Sequence, residues 1–280
     1  MVPGIVIVTD SSSDLPIDEA ERLGIIVVPL SIRFGAEEYV DRADLSPAEF
    51  WAKCKGSSTL PETAAPSPGA FQAAFEEARS AGASGVICIT ISSELSATYQ
   101  SALTAAKAMV SFPVTVVDSQ LVTLPLGLLA LDAAEAAAKG ATMDNVVDEI
   151  HSTQKRIDVV FTLNTLEHLK KGGRIGSAQA LLGSVLSIKP ILTLKDGKVE
   201  EEGRQRTRAK SMEHLARLAT EAAPFERLAV VHGDAEDVSV LIDRLSGLES
   251  DVPLIVGDIG PVVGTHGGPG VVGVSWIRRA

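Results

Sequence analysis

The sequence predicts an α/β protein of two domains. Residues 1–155 read as an N-terminal domain built on a parallel sheet, and residues 156–280 as a C-terminal α+β domain with a mixed or antiparallel sheet. Three observations predict this. In the first half, short runs rich in β-branched residues alternate with helical stretches, the pattern of βαβ units. Those runs are apolar nearly throughout rather than at alternate positions, as strands covered on both faces are. In the second half, Asp196-Gly197 stands between two strand-like runs, a two-residue hairpin signal that brings antiparallel pairs. The length of 280 residues suffices for two cores.

Taken in order, Gly4–Val8 is a short strand, and Thr9-Asp10-Ser11-Ser12-Ser13-Asp14-Leu15-Pro16 is a hydroxyl-rich loop leading to a helix over Ile17–Leu23. Ile25–Ile32 reads as the next strand and Glu37–Leu45 as a charged connection. Ser46-Pro47-Ala48-Glu49 has the form of a capping box with proline at the first helical position, and the helix it opens carries Phe50, Trp51 and Lys53. Pro61, Pro66 and Pro68 forbid a helix and hold the chain extended around Thr63. Ser67-Pro68 then starts a helix over Phe71–Arg79.

Gly85–Ile91 is a near-continuous apolar strand. Three serines in five residues follow (Ser92, Ser93 and Ser96), and then an alanine-rich helix to about Val110. A hydroxyl-rich loop between the carboxyl end of a parallel strand and a helix N-terminus suits an anion, because free N–H groups and the positive end of the helix dipole point there. The plainer reading is that Ser93 or Ser96 caps the helix. Val114–Ser119 is a further strand, and Leu124–Lys139 a helix closed by Gly140. Three polar strand–loop junctions on one sheet edge make a crevice.

Beyond Arg156 the reading is a strand over Asp158–Leu163, a short helix over Thr165–Lys171, and a tight turn at Gly172-Gly173-Arg174-Ile175-Gly176. A small-residue helix over Ala178–Leu186 precedes a strand over Pro190–Lys195, which returns through Val199–Gly203. The basic run Arg204–Lys210 leads into a helix through Ala222. Leu228–His232 is a strand, Glu236–Leu245 a helix and Leu254–Ile259 a strand. The chain closes on a glycine-rich stretch that holds His266.

Composition narrows the function. A net charge of −11 and a pI near 5.0 disfavour nucleic acid and strong adsorption to anionic membranes. Apolar residues reach 45% with only 4% aromatic, so the interior is aliphatic. Cys54 and Cys88 are the only cysteines and do not form a disulfide framework, which fits a reducing, cytoplasmic setting. The N-terminus lacks a signal-type segment, and the apolar run at Leu121–Leu131 is too short to span a bilayer. No phosphate-binding loop, dinucleotide fingerprint or HExxH is present, and the histidines lack metal-ligand spacing, so neither a cofactor nor a metal is expected. No serine sits in GxSxG, although a triad assembled in space stays open.

Six stretches together resemble the DegV family: Asp10–Pro16; Thr63 with Pro66-Ser67; Ile91-Ser92-Ser93-Glu94-Leu95-Ser96-Ala97-Thr98-Tyr99; Gly172-Gly173-Arg174-Ile175; Arg206-Thr207; and Gly260-Pro261-Val262-Val263 with His266-Gly267-Gly268-Pro269-Gly270. Each is weak alone; six in register over nearly the whole chain is specific. The resemblance implies a bacterial protein of two α/β domains with a fatty acid buried between them. It implies an acyl-binding subunit that presents the fatty acid carboxylate to a separate fatty acid kinase subunit. It places the carboxylate on Thr63 and Ser96, with Ser93 nearby, and assigns Arg174, Arg206 and His266 to the face that meets the kinase. Ala64, Ala65 and Ala97 stand where the family often has Ser, Gln and Gly. Transient membrane contact during acyl exchange is a further expectation for the basic run. Two alternatives remain: a stand-alone lipid carrier, and a hydrolase or phosphotransferase using Ser96 or His266.

Overall fold

The computed structural model describes residues 4–57, 59–181 and 188–280. They divide into two compact units, one made of residues up to 31 with 63–155, the other of 32–62 with 156–280. Residues 32–62 thus group with the second unit. The cause is aromatic packing. Phe50 and Trp51 lie so close to Gly264 that a Cβ there would sit 2.8 and 2.9 Å from their rings, and a Cβ at Gly233 would sit 2.5 Å from the Trp51 ring.

In chain order the first stretch holds β1 (Ile5–Asp10), a 3-10 turn (Ser11–Ser13), α1 (Ile17–Leu23) and β2 (Ile26–Val28). Next come β3 (Ser31–Phe34), β4 (Glu37–Val40), α2 (Pro47–Gly56) and β5 (Glu62–Ala64). The first unit resumes with α3 (Pro68–Ser80), β6 (Gly85–Thr90), α4 (Thr98–Ala108), β7 (Val114–Asp118), α5 (Leu124–Ala138) and α6 (Met143–Gln154). The second continues with β8 (Ile157–Thr162), α7 (Glu167–Lys171), a 3-10 turn (Gly176–Leu181), β9 (Lys189–Lys195), β10 (Lys198–Gln205) and α8 (Arg208–Ala222). It ends with β11 (Phe225–Gly233), α9 (Val238–Leu245), β12 (Ile255–Asp258), α10 (Pro261–Gly267) and β13 (Val271–Arg278).

Five differences from the sequence reading stand out. The strand expected over Ile25–Ile32 is two: Pro29, with no N–H to donate, ends β2, and β3 belongs to another sheet. The charged connection at Glu37–Leu45 contains β4, reached from β3 through Gly35 at φ +61°. The glycine-rich end forms both α10 and β13, and α6 is an additional helix, capped by Thr142 Oγ1 accepting from Asn145 N. The small-residue helix over Ala178–Leu186 is a 3-10 turn as far as Leu181; the rest of that span lies outside the described residues.

The first unit's sheet is parallel throughout, in the order β2-β1-β6-β7. One face carries Val8, Val86 and Cys88 against Phe71 and Phe75 of α3 and Ala102 and Ala105 of α4. The other is covered by α5 and α6. Eleven of the fifteen residues of α5 are buried, which marks it as a core helix and not an amphipathic cover. The second unit's six strands run β10-β9-β8-β13-β11-β12, antiparallel except for β11–β12. Its core gathers Leu228 and Val230 of β11, Val272 and Val274 of β13, and Leu215 of α8. Cys54 and Cys88 are free thiols; burial pushes both up, that of Cys54 to about 11. Among the described residues no helix is long and apolar enough to cross a membrane.

Candidate functional site

In the first unit the chain leaves β1 toward β2 on one side, while β6 and β7 lie on the other. The order therefore reverses between β1 and β6, and a parallel sheet opens a crevice beyond the carboxyl ends of strands at such a point. Three loops meet there: Ser11–Asp14 after β1, Ser92–Ser96 after β6, and Ser119–Thr123 after β7.

Three carboxylates tie these loops together. Asp10 Oδ1 accepts from the Ser12 amide at 3.1 Å and from the Ser12 hydroxyl, while its Oδ2 accepts from the Ile91 amide at 2.8 Å. Asp14 Oδ2 accepts from Thr123 Oγ1 at 2.5 Å, and Ser12 O accepts from Thr123 N at 2.8 Å. Asp118 Oδ1 accepts from the Ser93 amide at 3.1 Å and Oδ2 from the Ser93 hydroxyl at 2.5 Å. Two backbone bonds close the remaining side, Ser92 N to Leu121 O at 2.9 Å and Ser119 N to Thr90 O at 3.2 Å. Each loop is thus held by both others.

The tightness shows in the backbone. Asp14 (φ 50°), Gln120 (φ 56°) and Thr123 (φ 57°, ψ −151°) all occupy the region that favours glycine. Such a residue costs about 1–3 kcal/mol, and the bonds to the loop after β1 offset that cost at Thr123. Asp10 is fully buried, and desolvation pushes its carboxyl up to about 6, with a smaller push from Asp14; the donors from Ser12 and Ile91 pull the other way.

The hydroxyls named by the sequence reading are not equivalent. A serine has one proton to give. That of Ser93 goes to Asp118, and Ser93 is exposed. Ser96 Oγ accepts the Thr98 amide at 3.3 Å, capping the first N–H of α4, and lies 2.8 Å from Thr98 Oγ1. If Thr98 donates in that pair, the Ser96 proton is left for a ligand, so Ser96 is the serine suited to donate to an anion. Thr63, half-buried in β5, is the first residue of the chain after its return to this unit.

Arg174 and His266 come together in the second unit. A Cβ at Gly172 would sit 2.2 Å from His266 Nδ1, so only glycine lets that imidazole approach the turn. The Arg174 guanidinium donates to Gly172 O. Burial, then Arg174, then His168 push the His266 imidazole down to about 4, which leaves it neutral at pH 7. His168, which the sequence reading missed, has Nδ1 3.2 Å from Thr265 O, and its ring fills the space a side chain at Gly268 would need. Arg206 is exposed at the junction of β10 and α8. Its neighbours are partly neutralised: Arg204 pairs with Glu201, and Arg208 makes two 3.0 Å bonds to Asp237.

A family model for uncharacterised proteins of the DegV family matches residues 4–279. The chain belongs to the DegV family. A DegV domain-containing protein of Halalkalibacterium halodurans is 37% identical, with 97% of this chain and 98% of the relative covered. A solved DegV family protein from Thermus thermophilus, described as fatty acid binding, is 37% identical with a TM-score of 0.91, covering 98% of this chain and 99% of that one. DegV of Bacillus subtilis, solved as a fatty acid binding protein, is 32% identical with a TM-score of 0.89 over 98% and 99% of the two chains. The family drawn from six scattered motifs is borne out, and so is the α/β architecture with a parallel sheet first and a mixed sheet second.

Proposed function

We propose that this DegV protein binds one long-chain fatty acid in a buried apolar tunnel and presents its carboxylate to a separate kinase subunit, which phosphorylates it to an acyl phosphate. The lipid part is supported by the two solved relatives described as fatty acid binding. The observation that carries the head-group assignment is the Ser96 hydroxyl, which can accept from Thr98 and keep its proton for a ligand. Thr63 and Ser96 hold the carboxylate; Ser93, committed to Asp118, keeps the loop in shape beside them. Arg174, Arg206 and His266 meet the kinase, with His266 neutral beside the Arg174 guanidinium.

Energetics assign different tasks to tail and head. About fifteen methylenes at ~0.8 kcal/mol each give roughly 12 kcal/mol gross, before ordering costs. Charge-assisted hydrogen bonds to a carboxylate add far less and serve to orient it. The nucleophilic-serine alternative gains no support here, since the partners of Ser96 are a hydroxyl and an amide, neither of which takes up a proton at neutral pH.

Two measurements test the proposal. Native mass spectrometry of the purified protein is expected to show a mass increment of one long-chain acid, lost on delipidation and regained on adding oleic acid. Thr63→Val is expected to lower phosphorylation of bound acid by a partner kinase about tenfold while leaving acid affinity within about threefold. Equal loss of both would remove orientation as the role of Thr63. Binding without phosphorylation by any kinase would leave the stand-alone carrier.

A further inference from the structure

We propose that Asp10 is a positioning residue: its ionised carboxylate holds the Ser92–Ser96 loop in the shape that binds an acyl carboxylate, and protonation of Asp10 loosens that loop. The inference rests on the fatty-acid reading above, and it adds a proton-dependent control that the head-group residues themselves do not have.

The geometry carries it. Asp10 ends β1 and Ile91 immediately follows β6, the two strands between which the order reverses. The Ile91 amide donates to Asp10 Oδ2 at 2.8 Å, and the next residue, Ser92, begins the turn that carries Ser96: Ser96 N donates to Ser92 O at 3.1 Å. One carboxyl oxygen therefore anchors the root of the ligand-binding turn. The other accepts both the amide and the hydroxyl of Ser12, so all three partners of Asp10 are donors. That set suits an acceptor-only carboxylate: a protonated Asp10 can place its proton only on the Ser12 hydroxyl, which must then turn its own away, and it loses the charge that strengthens the bond from Ile91.

The surroundings make the switch accessible. Asp10 is wholly buried, and desolvation brings its titration to about 6, within reach of physiological acidification. The titratable groups facing it are Asp14, from the same loop, which raises it further, and the Cys88 thiol of β6. Ile26–Val28 of β2 and Leu124–Leu131 of α5 bring no titratable side chain, and Glu94 on the turn after β6 is exposed. Among the charges acting on it there is no cation to hold it ionised as the pH falls.

The test uses the whole 15N-labelled chain without ligand, titrated from about pH 8 to pH 5. The Ile91 and Ser12 amide shifts are expected to move together with an inflection near pH 6, and Asp10→Asn is expected to abolish that inflection. At pH 8 Asp10→Asn, whose amide nitrogen must face a donor that the carboxylate oxygen accepted, is expected to bind cis-parinaric acid about tenfold more weakly at an unchanged melting temperature. Ser12→Ala, which keeps the Ile91 bond, is expected to stay within about threefold of wild type. If the wild-type chain binds the acid but Ile91 shows no inflection, or if Asp10→Asn binds as tightly as wild type, the proposal is overturned and the fatty-acid reading stands. If Asp10→Asn does not fold, the wild-type titration decides between those results. A wild-type chain that takes up no acid overturns the fatty-acid reading, and this proposal with it.

Discussion

Asp10 and His266 are buried groups of opposite type, and they bend the stability of their units in opposite directions over one pH range. Asp10 is shifted up from 3.8 to about 6, so between those values the folded chain binds more protons there than the unfolded chain. Its contribution is greatest in acid and is lost as pH rises through 6. His266 is shifted down from 6.5 to about 4, so its contribution is present above 6.5 and is lost as pH falls through 4. At 1.36 kcal/mol per pH unit each shift is worth on the order of 3 kcal/mol. Asp10→Asn is expected to cost little at pH 7, because the hydrogen bond its amide nitrogen cannot accept is offset by relief of a buried charge. On acidification to about pH 4 the variant falls behind wild type by about 3 kcal/mol. Denaturant unfolding at the two pH values checks this; parallel profiles for the two proteins would refute it. The carboxylate is thus retained at neutral pH for the shape it imposes, at a cost to stability.

Helix α5 shows how one element is fitted to the hydroxyl-rich loop. Gly127 lies in its interior, where alanine ordinarily stabilises by about 1 kcal/mol. Here a Cβ would meet Ser13 O at 2.8 Å and Leu15 Cδ1 at 2.9 Å. Gly127→Ala is therefore expected to destabilise the protein by about 1–3 kcal/mol, read as a lower melting temperature, and to weaken acid binding through the displaced loop. A stabilised variant would show that the loop yields freely.

The same elements show what the sequence discloses. Strands β1 and β6 were legible because their burial leaves an apolar run, β7 because of its β-branched residues, and α2 and α3 because of their Ser-Pro starts. Helix α6 and strand β13 were missed. The first spaces its apolar residues thinly along a polar stretch, and the second begins directly after a cluster of glycines. At the site, the hydroxyl-bearing loops were legible as places, but the roles within them were not. Which serine keeps its proton depends on Asp118, 25 residues from Ser93, and the latch on Ile91 depends on Asp10, 81 residues away. Spacing along the chain does not encode such pairs.

For the whole molecule, the decisive feature is that residues 32–62 lie in the first half of the sequence and in the second compact unit. Phe50 and Trp51 of α2 are buried there, stacked edge to face at 4.9 Å between ring centroids, against Gly233 and Gly264. A chain stopped after Lys155 has the complete first unit and no partner for those rings. It is expected to bind a hydrophobic dye and self-associate, while Phe50→Ser with Trp51→Ser in the same truncated chain suppresses both. A truncated chain that stays monomeric and dye-free would show that the segment manages alone.

Translation adds a delay to that geometry. A nascent DegV chain releases α2 early, yet the glycines of β11 and α10 that receive its aromatic side chains are among the last residues the ribosome adds. For most of synthesis those rings lack the glycines they pack on, so apolar surface stays uncovered until the C-terminal elements emerge.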